Sequence, residues 1–170
     1  MNQPHFELLF PDKPPMSKTY QLTRVQQIPG TLEQVWDFFS DPGNLSVITP
    51  AELRFEVLSE SPRQGMYPGQ IIEYRVRPLL GIPLYWMTEI TQVDPGKFFI
   101  DEQRYGPYSF WHHQHHFRET GQGVEMTDLV HYRLPLGWLG DFAQSLFVRA
   151  RLDRIFAYRM EVTEKTFGSV

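Results

Sequence analysis

The chain has 170 residues, of which 41% are hydrophobic and 21% are charged, and this balance suits one globular domain with a sizeable core. A formal net charge of -4 and the lack of a basic run argue against nucleic acid as a partner. Because there is no cysteine, disulfides, thiolate nucleophiles and cysteine-based metal sites are excluded. Residues 1–18 are rich in proline and predict an irregular N-terminal arm, and residues 19–170 predict a single domain.

The domain begins with a predicted strand and two short helices. Residues 20–28 have strand-like composition and end at a Pro-Gly pair. Thr31 and Gln34 have the spacing of a capping box, which predicts the start of a helix. A second short helix is predicted over 44–49, because a proline follows it.

Six further segments have β-rich or alternating composition and are separated by turn residues. Consecutive strands with short links indicate an antiparallel sheet. The six segments are 53–59, 70–77, 84–93, 98–103, 110–119 and 124–133.

Residues 139–167 predict a long amphipathic helix, because their apolar members fall on about half of the helix circumference. Arg149 and Arg159 lie on that apolar stripe. Either their stems pack on apolar surface while the guanidinium groups reach water or a carboxylate, or a guanidinium group enters a cavity and binds a ligand oxygen.

The segment 110–119 contains four of the six histidines. Strand side chains alternate between faces, so Trp111, His113, His115 and Phe117 share one face, which the large aromatic residues identify as the buried one. His113 and His115 are then either hydrogen-bonded core residues or groups that contact a ligand, transfer protons or bind a metal.

Asp128 on the next strand shares a face with apolar residues and is therefore expected to reach His113 or His115. Such a pair would fix the imidazole tautomer and raise the imidazole pKa. His113, His115 and Asp128 are thus candidate catalytic groups for proton transfer. A purely structural pair of buried His and Asp has the same sequence pattern.

The preceding strand carries Asp101 and Glu102 after three consecutive apolar residues, so alternation does not decide which of the two points inward. We expect Glu102 to point inward together with Ile100. The candidate ligand-binding residues are Tyr74, Trp86, Glu102, Trp111, His113, His115, Phe117, Met126, Asp128, Tyr132, Arg149, Leu152 and Phe156.

A zinc or iron site would need a third ligand beside the two inward histidines. The sequence has neither an H-E-x-x-H helix nor a clear facial-triad spacing. We therefore expect no native metal and no cofactor. The outward histidines, which are predicted to bind metal only adventitiously, are His112, His116 and His131.

Several motifs follow one another in a recognisable order. They are Ile28-Pro29-Gly30-Thr31 with Val35-Trp36 and Asp41-Pro42, then Asp101-Glu102-Gln103, Gly106-Pro107-Tyr108, Trp111-x-His113-x-His115-x-Phe117, Met126-x-Asp128 and Ile155-Phe156. Because these motifs occur in this order, the chain resembles the START/Bet v 1-like superfamily, also called SRPBCC, over residues 20–167. More narrowly it resembles the bacterial polyketide cyclase/dehydrase-like and coenzyme Q-binding START branches.

This resemblance implies an α+β helix-grip fold. A curved seven-stranded antiparallel sheet would wrap around the long C-terminal helix, with the two short helices after the first strand. The resemblance also implies a deep apolar cavity between sheet and helix for a lipid, a quinone or a polyketide-like molecule.

Two turns, 79–83 and 134–139, are unusually apolar for surface segments. Either they border the cavity mouth and make transient contact with a membrane or a protein, or they pack against the N-terminal arm.

Our leading hypothesis is that the protein binds or transports a hydrophobic small molecule. The second is a polyketide cyclase/dehydrase-type enzyme that uses a His-Asp pair, and the third is a regulatory protein-interaction domain. Because no signal-peptide pattern and no bilayer-length apolar run occurs, we expect a cytoplasmic location.

Overall fold

The computed structural model describes residues 18–60, 65–79, 82–136 and 147–169, with the backbone alone at positions 78 and 79. The predicted arm therefore lies outside the described residues except for Lys18. In chain order the elements are β1 (Tyr20–Ile28), α1 (Leu32–Ser40), two 3-10 helices (Pro42–Ser46 and Ala51–Leu53), β2 (Glu56–Val57), β3 (Ile71–Leu79), β4 (Ile82–Asp94), β5 (Phe98–Tyr105), β6 (Phe110–Thr120), β7 (Gly123–Arg133) and α2 (Arg149–Phe167).

The strands form one curved antiparallel sheet in the order β1-β7-β6-β5-β4-β3-β2. From β2 to β7 each strand pairs with the strand that follows it. β1 pairs with β7 and forms the edge of the sheet opposite β2. The predicted α+β helix-grip fold is confirmed. The strands that carry the acidic and histidine residues, β5, β6 and β7, are direct neighbours.

The start of α1 is fixed by a capping box. The Gln34 backbone N–H donates to Thr31 Oγ1 at 3.2 Å, and the Thr31 backbone N–H donates to Gln34 Oε1 at 3.0 Å. Both bonds satisfy donors that the first helical turn otherwise leaves unpaired. The predicted capping box is confirmed.

The second predicted helix differs from expectation. Instead of a helix over 44–49, a 3-10 helix runs from Pro42 to Ser46, because the Asp41 side chain accepts the backbone N–H of Gly43 and a proline occupies the first helical position. The strand predicted over 53–59 is reduced to the two residues of β2.

The long helix α2 is described from Arg149 onward, and the part predicted over 139–146 lies outside the described residues. Leu152, Phe156 and Thr163 form its buried face against the sheet. Gly168 follows its last turn with φ 96°, a left-handed value that favours glycine, and its N–H donates to Glu164 O at 2.8 Å.

Alternation along β6 and β7 places one set of side chains on the inner, concave face. Every second residue of β7 is buried, and the same holds for the histidine segment of β6. The inner set comprises Trp111, His113, His115 and Phe117 on β6 and Val124, Met126, Asp128, Val130 and Tyr132 on β7. The orientation predicted for both strands is thus confirmed.

One end of this inner face is filled by α1. Trp36 and Phe39 pack against Phe117, with ring centroids 5.4 and 6.0 Å apart. Phe99 joins the same group at 6.0 Å from Trp36. Edge-to-face contacts of this kind bury large aromatic areas, so this end of the interior is solid.

The two apolar turns are only partly described. Positions 80–81 of the first and 137–139 of the second lie outside the described residues. At their flanks, Ile82 and Leu136 are exposed, whereas Leu134 is buried. A role of these turns in membrane or protein contact stays a prediction.

Candidate functional site

A cavity of about 290 Å³ lies between the concave face of the sheet and α2. Small-molecule sites typically measure roughly 300–1,000 Å³, so this volume suits a compact ligand. The lining is mostly apolar and aromatic. It includes Phe39, Ile48, Leu53, Phe55, Ile72, Tyr74, Trp86, Thr88, Ile90, Phe99, Trp111, Leu152, Ile155 and Phe156.

An aromatic wall covers the β3 and β4 side of the cavity. Trp86 lies 5.8 Å from Tyr74 and 5.5 Å from both Tyr108 and Trp111, measured between ring centroids. The Tyr74 hydroxyl donates to Thr88 Oγ1 at 3.1 Å. Burial raises the pKa of Tyr74, so this hydroxyl is neutral and serves as a hydrogen-bonding group.

Five charged or titratable side chains meet at the other side of the cavity, and we call them the ionic cluster: Asp101, His113, His115, Asp128 and Arg159. Asp128 Oδ1 accepts hydrogen bonds from His113 Nε2 at 2.9 Å and from Arg159 Nη1 at 3.1 Å. Asp101 Oδ2 accepts from His115 Nε2 at 3.1 Å and lies 3.5 Å from His113 Nδ1. His115 Nδ1 is 2.9 Å from Asp128 Oδ1, a contact of opposite charges without hydrogen-bond alignment.

The strand register explains why these residues meet. Asp101 on β5 lies opposite His113 on β6, and His115 lies opposite Asp128 on β7. Facing Cβ atoms on adjacent strands are about 4.5–5.5 Å apart, so each carboxylate reaches both imidazoles. Arg159 approaches from α2, with its guanidinium carbon 5.1 Å from the ring centroid of Phe156.

Burial and mutual charge set the protonation states of the cluster. Burial, and then the charge of His115, lower the pKa of His113 to about 4. Although burial lowers the pKa of His115, the hydrogen bond with Asp101 and the close contact with the Asp128 carboxylate raise it overall. Burial alone would raise the pKa of Asp128, but the Arg159 charge and the two imidazole contacts hold it well below its usual range.

Asp101 follows the same pattern, since the hydrogen bond from His115 lowers its pKa against the effect of burial. The lowered pKa values leave both carboxylates ionised and the His113 imidazole neutral, and Arg159 adds one positive charge. A proton on His115, whose pKa is raised, makes the charges of the cluster cancel, which is what burial requires of an ionic group. Because an ionised carboxylate only accepts, the shared hydrogen to Asp128 belongs to Nε2 of His113.

The family model described as polyketide cyclase / dehydrase and lipid transport matches residues 28–156, which is most of the chain. The match includes most of the cavity lining and every member of the ionic cluster except Arg159. The chain belongs to this family. No curated protein sequence matches it significantly.

Solved structures give the same fold at low sequence identity. The Zhui aromatase/cyclase from Streptomyces sp. R1128 is 14% identical, with a TM-score of 0.68, and the alignment covers 88% of this chain and 93% of that one. Ginseng major latex-like protein 151 from Panax ginseng is 13% identical, with a TM-score of 0.64 and coverage of 88% and 97%. A Chromobacterium violaceum protein is 12% identical, with a TM-score of 0.67 and coverage of 88% and 99%.

All candidate site residues except Glu102 and Arg149 fall into three groups within this family fold. Tyr74, Trp86, Trp111, His113, His115, Leu152 and Phe156 line the cavity. Asp128 lies behind the two histidines, in contact with them and Arg159. Phe117, Met126 and Tyr132 are buried in packed parts of the interior, away from the cavity lining.

The expectation that Glu102 points inward is wrong. Glu102 lies on the outer face, where its carboxylate contacts His112 Nδ1 at 3.0 Å and Arg104 at 3.1 Å. Asp101 points inward instead, on the same face as Phe99. The error arises because Phe99 and Ile100 are both buried, on opposite faces, so the apolar pattern carries no signal of direction.

The proposal of Arg149 as a ligand contact is not supported by its position. Its side chain is 54% exposed and pairs with Asp153 at 3.3 Å. Arg159 enters the interior instead, with 12% of its side chain exposed, and Arg151 also lines the cavity. Both Arg149 and Arg159 lie on the apolar stripe, but the rotation of α2 against the sheet selects the second.

Within the described ranges, none of the helices has both the length and the apolar character needed to cross a bilayer.

Proposed function

We propose that this protein binds a hydrophobic small molecule in the cavity and orients the polar end of that molecule against the ionic cluster. The observation that carries the proposal is a mostly apolar hollow with one ionic side. Burial of apolar ligand surface contributes roughly 25 cal/mol per Å² before the costs of association. The apolar walls would supply affinity, and the ionic side would supply orientation.

Three donor groups indicate what the polar end of the ligand carries. Buried nitrogens without a hydrogen-bond partner among the described residues are Trp86 Nε1, Arg151 Nε and Arg159 Nε, and all three side chains line the cavity. None of these groups can accept a hydrogen bond. An unpaired buried donor costs about 1–3 kcal/mol, so a ligand with carbonyl, hydroxyl or similar oxygens would relieve the donors that it reaches.

The test is native mass spectrometry of the purified full chain, followed by organic extraction and identification of what is released. We expect a co-purifying hydrophobic molecule that carries oxygen. Leu152→Trp, which fills the cavity from α2, should displace it, while Arg149→Ala should retain it. Protein that is free of such a molecule, and that also fails to bind the apolar probe anilinonaphthalene sulfonate, would contradict the proposal.

A second candidate function is acid-base catalysis of the cyclase or dehydrase type on a bound carbonyl compound. The observation that favours it is the hydrogen-bonded His113–Asp128 pair, with His113 at the cavity wall. A positioned imidazole of this kind can move a proton of a ligand held in a site that excludes water.

The two functions separate in one comparison. If the protein is an enzyme, His113→Gln should abolish turnover of a polyketide-like carbonyl substrate while native mass spectrometry still shows binding. If it is a carrier, the same variant should weaken binding modestly, and no product should form with wild-type protein.

A further inference from the structure

We propose that Asp101, His113 and His115 form a binding site for one divalent transition-metal ion, such as Zn²⁺ or Fe²⁺, that opens into the cavity. The sequence supplied only the two histidines, and the strand register supplies the missing third ligand. This inference is independent of which molecule the cavity binds. It replaces the expectation, drawn from the sequence, that no native metal is present.

The ligand atoms have suitable spacing. One ligand atom from each of the three residues lies within 4.8 Å of the others. Asp101 Oδ2 is 3.1 Å from His115 Nε2 and 3.5 Å from His113 Nδ1. Zinc bonds to nitrogen and oxygen are about 2.0–2.2 Å, so ligand atoms around a tetrahedral ion are roughly 3.3 Å apart. Both distances to the Asp101 carboxylate oxygen are therefore close to the spacing that a tetrahedral ion requires.

Asp128 provides the support that metal-binding histidines need. It accepts the Nε2–H of His113 at 2.9 Å, which leaves the Nδ1 lone pair of that ring facing Asp101. It also lies 2.9 Å from His115 Nδ1, on the side of that ring away from Asp101. A carboxylate behind each imidazole fixes the tautomer and ring orientation in metal sites.

The chemistry of the donors selects the class of metal. Two imidazoles and one carboxylate favour first-row transition ions over Mg²⁺ or Ca²⁺, which prefer oxygen ligands. All three residues line the cavity, so the coordination positions that they leave open face the ligand space. Three protein ligands with an open position are typical of metal sites that also contact a substrate or ligand.

Charge balance is also compatible with a cation. The carboxylates of Asp101 and Asp128 and the guanidinium of Arg159 together leave one negative charge beside the two imidazoles. A divalent ion bound there would leave one positive charge beside the cavity. An anionic oxygen on a bound molecule, or a hydroxide ion, would then neutralise the site.

The experiment uses the full chain, purified without a metal-affinity tag and treated with a chelator. Titration with Zn²⁺ by calorimetry should give one equivalent of tight binding. Asp128→Asn should weaken that binding roughly 10–100-fold, as loss of an outer-shell carboxylate does elsewhere, and Asp101→Asn should weaken it further. The matched control is the double variant His112→Ala/His131→Ala on the outer face, which should bind Zn²⁺ like wild-type protein.

A second measurement needs no variant. Nitrogen-detected NMR of the histidine rings in wild-type protein should show Zn²⁺-dependent shifts at His113 Nδ1 and His115 Nε2. The proposal is overturned if wild-type protein takes up no stoichiometric Zn²⁺, or if the shifts and the binding belong to His112, His116 or His131. In either case native mass spectrometry in the presence of chelator still tests the cavity ligand separately.

Discussion

Two ends of the same strand face behave differently. Phe117, near the end of β6, packs against Trp36 and Phe39 of α1 in a solid aromatic core. His113 and His115, on the same face of the same strand, border a cavity and take part in an ionic cluster. The alternation of β6 is identical at both ends, so the difference comes from what lies above the strand.

At the solid end, α1 supplies large side chains that fill the concave face of the sheet. At the hollow end, α2 crosses the sheet, and Leu152, Phe156 and Arg159 leave open space between them. The comparison shows that a cavity forms where the second layer does not fill the concave surface of the sheet. Substitutions on either side should therefore differ in kind.

The largest expected effect concerns the hollow end. Asp128→Ala removes the partner of Arg159, His113 and His115 at once and leaves buried positive charge uncompensated. Loss of one partner of a buried ion pair costs about 3–5 kcal/mol. We expect the free energy of unfolding, measured in urea, to fall by about that amount. Asp128→Asn loses the same charge but keeps an oxygen that accepts a hydrogen bond from His113 or Arg159, so it should cost somewhat less. An unchanged midpoint for Asp128→Ala would show that the cluster is not an ionic unit.

An effect of the same order is expected at the solid end. Phe117→Ala should destabilise the fold by about 3–5 kcal/mol, because the packed aromatic neighbours cannot close the space that it leaves. The matched variant Phe55→Ala changes a half-buried ring that already borders the cavity. It should cost less than half as much in the same urea titration. Equal costs would contradict the distinction between a filled and an open end.

A smaller effect on stability is expected from a change at the start of α1. Thr31→Ala removes the side-chain acceptor of the capping box, and such a loss costs about 1 kcal/mol. Phe39, the α1 residue that borders the cavity, lies near the other end of the helix from Thr31. Thermal unfolding should therefore shift while binding of anilinonaphthalene sulfonate stays at the wild-type level. If probe binding changes more than stability does, the start of α1 also shapes the cavity.

The smallest effect concerns the surface of α2. Arg149→Ala breaks an exposed pair with Asp153, so we expect a change in unfolding free energy within about 0.5 kcal/mol. Probe binding should also be unchanged. A loss of binding in this variant would mean that Arg149 contacts the ligand after all.

The sequence allowed the prediction of most of the framework. Period-2 alternation on β6 and β7 correctly predicted that His113, His115 and Asp128 would share one face, because apolar neighbours mark the buried side of each strand. The capping-box spacing predicted the start of α1 for an equally local reason.

The sequence-based predictions that were wrong concern features that depend on non-local geometry. Asp101 and Glu102 follow a run in which both strand faces are buried, so no pattern distinguished them. Phe117 and Met126 share the face of the histidines but lie under α1, and periodicity carries no information on how far a second layer extends. Arg149 and Arg159 lie on one stripe, and only the rotation of α2 against the sheet separates them.

The cancellation of charge within the ionic cluster also restricts how this protein can diverge. Asp128 and Arg159 are 31 positions apart in the chain and belong to different layers. If either residue loses its charge alone, the other is left as a buried charge without its partner. Tolerated replacements should arise as compensating pairs, with the loss of the carboxylate accompanied by a neutral residue at the arginine position. In a selection for folded variants, substitutions at these two positions should therefore occur together.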